Sequence, residues 1–141
     1  MRKTTFATVA SALLVLGVAS SSYTSGASNA IDVEHYKGIQ YVSGGFGIDE
    51  RQAIAAMGRK DNLELSFALH NKEYLGGAEV LIKDSKGNKV LEAASDGPLF
   101  FTKLPEGKYT VMATALGRTL TRDVDIPNKG QARLYFAWGN A

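Results

Sequence analysis

The sequence predicts a mostly β protein, a two-sheet β-sandwich of about seven strands with one helix ahead of the main strand series. Three observations carry that prediction. Apolar residues recur at every second position from Leu63 to Trp138, and clusters of Gly, Pro, Asp and Asn interrupt them at short intervals. The chain also has no cysteine, so a hydrophobic core and not disulfides must hold it together.

The first thirty of the 141 residues read as a signal peptide. Arg2 and Lys3 open the chain, an apolar run extends from Phe6 through Ala19, and small polar residues follow. A transmembrane helix needs about 20 apolar residues, and this run is shorter. Ser28-Asn29-Ala30 places small residues at the −3 and −1 positions for cleavage after Ala30, with cuts after Ala19 or Ala27 as alternatives. The product is then expected to be periplasmic or secreted, with no stable membrane insertion after cleavage and no cysteine to accept a lipid.

Cleavage alters the charge balance. The full chain carries 16 basic and 14 acidic residues; Arg2 and Lys3 leave with the signal, so the mature chain has 14 of each. A neutral chain has no general attraction for nucleic acid or anionic lipid, and neither is expected as a partner. The roughly 110 remaining residues suffice for a core, since a domain of that size buries about two-thirds of its unfolded surface.

Residues 31–47 read as an N-terminal extension, and 48–141 as a helix plus sandwich. In GIDERQAIAAMGRK, Asp49 is the expected N-cap, Ala53, Ile54, Ala56 and Met57 form an apolar stripe, and Gly58 is the expected stop. This helix should pack on an end or face of the sandwich. LELSFAL then puts Leu63, Leu65, Phe67 and Leu69 on one face of a strand. The alternation returns at Val80 and Ile82, at Tyr109, Val111 and Ala113, at Leu120, Val124 and Ile126, and at Leu134, Phe136 and Trp138. In DGPLFFTKLPEGKYTV, Leu99 to Thr102 form a strand, Pro105 presets the following turn, and Gly107 supplies permissive backbone where the next strand begins. Every residue of that stretch has a backbone or packing role.

The run from Gly76 to Ile126 resembles the carboxypeptidase regulatory-like family of exported bacterial proteins. The likeness rests on an A-x-V-x-I-x-D-x-x-G hairpin, a D-G-x-x-x-F-x-x-L-P-x-G-x-Y-T-V core and a following A-x-x-x-G. It implies a transthyretin-like (prealbumin-like) sandwich and no catalytic residues. Ser95-Asp96-Gly97-Pro98 is shorter than the family's usual turn at that place.

Chemistry-bearing patterns are sparse. Ser43-Gly44-Gly45-Phe46-Gly47 leads into the helix, but Asp49 and Glu50 follow it and no P-loop lysine is present, so it reads as a flexible entry and not a phosphate site. Asp84-Ser85-Lys86-Gly87-Asn88 has too few carboxylates for a calcium loop and reads as a hairpin turn. Asp32, Glu34 and His35 lie near the expected mature terminus, and His70 is the only other histidine; that spacing gives no zinc motif. No G-x-S-x-G elbow occurs. Catalytic residues, metals and cofactors are therefore not expected. Among Tyr36, Tyr41, Phe46, Tyr74, Tyr135 and Trp138, the candidate contact residues for a ligand or partner are Tyr74, Tyr135 and Trp138, Trp138 sharing the parity of the core positions Leu134 and Phe136. The function expected is non-catalytic binding to an envelope protein or glycan. Sugar or peptidoglycan binding through exposed aromatics, and a small hydrolase using loop carboxylates, are the alternatives.

Overall fold

A computed structural model describes residues 31–139, so the expected signal peptide lies outside the described residues. The period-two pattern sets the inward faces. In β3 (Leu63–Leu69), Leu63, Leu65 and Phe67 are buried; β4 (Glu79–Asp84) contributes Val80 and Ile82, and β7 (Gly107–Ala115) contributes Tyr109, Val111 and Ala113. The other elements are β1 (Glu34–Tyr36), β2 (Ile39–Gly44), α1 (Ile48–Gly58), β5 (Lys89–Ala94), β6 (Leu99–Thr102), β8 (Arg118–Ile126) and β9 (Ala132–Trp138).

The strands form two sheets, one ordered β1-β2-β6-β3-β9 and one ordered β5-β4-β7-β8. All pairings are antiparallel except β3 with β9, which run parallel from Leu63↔Ala132 to Leu69↔Trp138. One buried cluster draws on both sheets and includes Phe67, Phe136 and Trp138, whose ring centroids lie 5.9 to 6.1 Å apart. At the edge of the layers the Trp138 indole Nε1 donates to Arg118 O at 3.0 Å, and the Arg122 guanidinium lies 5.4 Å from the Phe136 ring centre.

Several expectations change. The described residues hold nine strands, because β1 and β2 come from the segment read as an extension; α1 follows these two and stands ahead of the main series β3–β9, as expected. Apolar alternation is faint in that segment because burial falls on consecutive residues, Val42 under the helix and then Ser43 and Gly44, which pack against the 95–98 turn. The backbone N–H of Asp96 donates to Ser43 Oγ at 2.8 Å, and a Cβ on Gly97 would collide with the Gly44 backbone. Ser43 and Gly44 are thus strand residues in close contact, not a flexible entry.

The helix also differs in its ends and its contact line. Its N-cap is Gly47, at φ 86°, with no side-chain cap; Asp49 lies in the first turn, where its charge still suits the helix dipole. Ala53, Ala56 and Met57 face solvent, while Ile54 and Gly58, one turn apart, are buried against Val42 and Phe101 on the outer face of the five-stranded sheet. Gly58 stays in the helix, and Arg59 caps it in the right-handed region. The glycine serves packing, since a Cβ there would overlap the Phe101 ring. Complete burial of Ile54 contributes roughly 1.5–3 kcal/mol to this docking.

Candidate functional site

β3 points Leu65 and Phe67 into the core, so Ser66 and Ala68 point to the outer face of the sheet. Tyr135 pairs with Ser66 across β9, and Tyr74 pairs with Ala68 through an isolated antiparallel bridge on the opposite side of β3. Directly opposed residues share a face, so both tyrosines stand on the outer surface. Two strand spacings sideways and two residues lengthwise put their Cα atoms on the order of 12 Å apart. Tyr74 is 51% exposed and Tyr135 56%. The helix covers β2 and β6 on this face, Ala68 is buried beside Tyr74, and the two tyrosine rings stay half-exposed, with an Arg133 Nε–Glu64 Oε1 ion pair of 3.0 Å beside Tyr135.

Tyr74 is held in place. The Arg51 guanidinium sits 4.3 Å over its ring centre, and Arg51 Nε donates to Gly45 O at 3.2 Å. The Gly45 N–H donates to Glu50 Oε1 at 3.2 Å, which ties the loop to the first turn of α1. Phe46, 49% exposed, projects from this loop and rests on Gly76, where a Cβ would come within 2.6 Å of its ring. Gly45 and Gly47 have φ of 106° and 86°, a region that side chains with a Cβ avoid. The loop thus spends two special conformations and one close approach on holding an aromatic ring half in water.

Trp138 is corrected. It is 1% exposed in the core, so its ring offers no contact surface, and its parity with Leu134 and Phe136 was the signal that placed it there. The remaining patterns stay apart. The turn at Asp84 is closed by its own carboxylate, whose Oδ1 accepts from the N–H groups of Lys86 and Asn88 at 2.9 Å. No group of three His, Cys, Asp or Glu suited to a metal gathers among the described residues.

Two of the surface grooves contain carboxylates near other titratable or polar groups. One of about 390 Å³, between β1–β2 and the end of α1, is lined by Val33, Tyr41, Val42, Met57, Lys60 and Asp61 among others. Burial raises the pKa of Asp61, with Lys103 opposing, and burial followed by Glu34 and Asp96 raises that of Tyr41. Asp61 is the single carboxylate in that lining. The other groove, about 400 Å³, lies on the four-stranded sheet and contains Asp123 and Asp125. Thr110 Oγ1 donates to Asp123 at 2.9 Å and Lys108 Nζ to Asp125 at 3.3 Å, so cross-strand partners engage both exposed carboxylates.

With this geometry in hand, comparison with known proteins gives no match to any family model and none among curated proteins. The site rests on its own residues. Two of them, Phe46 and Arg51, escaped the sequence reading as site residues. The signal for Phe46 was an aromatic enclosed by glycines; Arg51 left none, because its partner Tyr74 is 23 positions away and only the fold joins them.

Proposed function

We propose that this chain is an exported, non-catalytic binding module of the bacterial envelope that engages a protein or glycan partner through the aromatic outer face. The observation that carries the reading is the placement of two half-exposed tyrosines on the outer face of the five-stranded sheet, beside the docked helix, with Tyr74 fixed by Arg51. Large amphipathic rings immobilised before binding lose little entropy on contact, which is why aromatics dominate binding hot spots. A carboxylate-based hydrolase finds less support, since Asp61 lacks a second carboxyl in its groove and Asp123 and Asp125 are engaged across the strands.

The finer fold belongs to the same proposal. The stretch resembling the carboxypeptidase regulatory-like family, residues 76–126, contains all four strands of the second sheet together with β6 of the first. That division of one continuous stretch between two layers supports a transthyretin-like sandwich. In this reading the segments before and after it supply the face that binds: Phe46 and Arg51, Tyr74, and Tyr135.

The glycan reading draws on the same two rings, because flat, spaced aromatics stack on sugar faces. Tyr74→Ala with Tyr135→Ala separates the outcomes. Wild type should co-sediment with purified peptidoglycan, or retain a partner from envelope extracts, and the double variant should lose that retention while keeping its melting temperature. Equal retention by both proteins would overturn the assignment of this face.

A further inference from the structure

The four sheet edges are not equally protected. β1 is three residues long and carries Glu34 and His35. β5 carries the Lys89–Glu92 ion pair, and its pairing with β4 is irregular at Ile82/Lys83. β8 bears Arg118, Arg122, Asp123 and Asp125. Shortness, charge and irregularity are the devices that stop one edge strand from pairing with another chain. β9 has none of them: it is seven residues long, reads ARLYFAW, and has Arg133 as its single charge, paired within its own chain to Glu64.

Its open backbone groups can be assigned. The N–H of Ala132 donates to Asn62 O at 2.9 Å, and Trp138 O accepts from the N–H of His70 at 2.7 Å. In an extended strand a residue's N–H and C=O point to one side and its neighbours' to the other. Ala132, Leu134, Phe136 and Trp138 thus face β3, and Arg133, Tyr135 and Ala137 direct their groups away from it. β9 ends its sheet, and β8, the edge of the other sheet, lies close to it and touches it through the Arg122 guanidinium and Arg118 O without pairing, so these six groups have no ladder partner among the described residues.

We infer that β9 pairs antiparallel with β9 of a second copy of this chain, on a two-fold axis at Tyr135. Tyr135 is the central residue of the strand, so this register sets Tyr135 opposite Tyr135 of the partner copy and Arg133 opposite Ala137. All six open groups of each copy are then hydrogen-bonded. No like charges meet, because the one cation faces a methyl group. A two-fold interface needs such self-complementarity, and the charged β8 edge does not offer a comparable apolar centre. The joined sheet has ten strands, and its continuous outer face carries the two copies' tyrosines side by side. This inference stands apart from the binding reading, since edge pairing uses backbone groups and leaves the face open.

Charge placed at the axis tests it. In sedimentation equilibrium the purified protein should be dimeric at about 100 μM. Tyr135→Lys and Tyr135→Glu, each setting like charges opposite one another, should weaken dimerisation by roughly tenfold or more. Mixing the two variants should restore a dimer. Thr121→Lys on β8 is the control and should remain dimeric, and the melting temperatures of dilute variants show that each is folded. A monomeric wild type, a dimer indifferent to either charge, or a mixture that stays monomeric would overturn the inference.

Discussion

The Tyr109 hydroxyl donates a 2.7 Å hydrogen bond to the carbonyl oxygen of Pro105, four residues earlier. The ring lies in the core while the hydroxyl closes the turn, so one side chain joins the layers to the loop that connects β6 and β7. Gly107, between them, has φ 152° and only the Tyr109 ring within 4 Å of its Cβ position.

Tyr109 therefore separates two contributions. Tyr109→Phe keeps the packing and loses the hydrogen bond, for an expected cost of about 1 kcal/mol in urea unfolding. Tyr109→Ala also loses the ring and should cost roughly 3 kcal/mol or more. Equal losses in the two variants would show that the ring is not a core element.

Alkaline pH should act through the same residue. Burial, then the nearby Asp84 charge, raises the Tyr109 pKa, and burial with Glu34 and Asp96 does the same for Tyr41. The folded state thus favours the protonated phenols. Their contribution is fully present below the ordinary tyrosine pKa of about 10 and is lost as pH rises through the higher folded values. Denaturation curves collected between neutral pH and about pH 11 should show stability falling above about pH 10, less steeply in Tyr109→Phe.

The docking of α1 can be probed from both sides. Ile54→Asp puts a carboxylate against Val42 and Phe101 and should cost roughly 3 kcal/mol or more. Gly58→Ala improves helix propensity by about 1 kcal/mol but forces a methyl group into the Phe101 ring, at a cost of roughly 1–3 kcal/mol. The alanine variant should melt below wild type, and adding Phe101→Leu should recover part of the loss. A Gly58→Ala protein that melts higher would mean the helix is not seated as described.

Polar residues around the β6–β7 turn should divide sharply. The Asn62 Nδ2 donates to Leu104 O at 2.7 Å and its Oδ1 accepts from the Leu104 N–H at 2.9 Å, so Asn62→Ala strands two backbone groups and should cost about 1–3 kcal/mol. Lys103, Glu106 and Lys108 are exposed, and the Lys108–Asp125 pair is mostly in solvent, so neutralising all three should shift stability by less than about 1 kcal/mol. If the triple variant melts normally yet loses partner binding, the binding surface lies on this turn and not on the aromatic face.

Strand periodicity from Leu63 to Trp138 was legible in the sequence because inward positions there are filled by large apolar side chains. Tyr109, Val111, Phe136 and Trp138 fall where alternation puts them. The turn at Pro105 was legible for the same local reason. β2 was not, since its buried positions include Ser43 and Gly44, chosen for close backbone approach to residues 95–98. Nor was the helix's contact line, which depends on the absence of an atom at Gly58 opposite Phe101.

The sequence by itself determined which residues of β3, β4, β7, β8 and β9 face inward and where the turns between β3 and β9 fall, because period and backbone preference act over neighbouring positions. Only the tertiary structure decided that Arg51 lies over Tyr74, that Tyr74 and Tyr135 share a face across β3, and that β9 ends its sheet with an open edge. Each depends on pairings between distant segments, above all the parallel alignment of β3 with β9, about seventy residues apart. Such pairings are selected by the free energy of the whole core, so no single stretch of the chain encodes them.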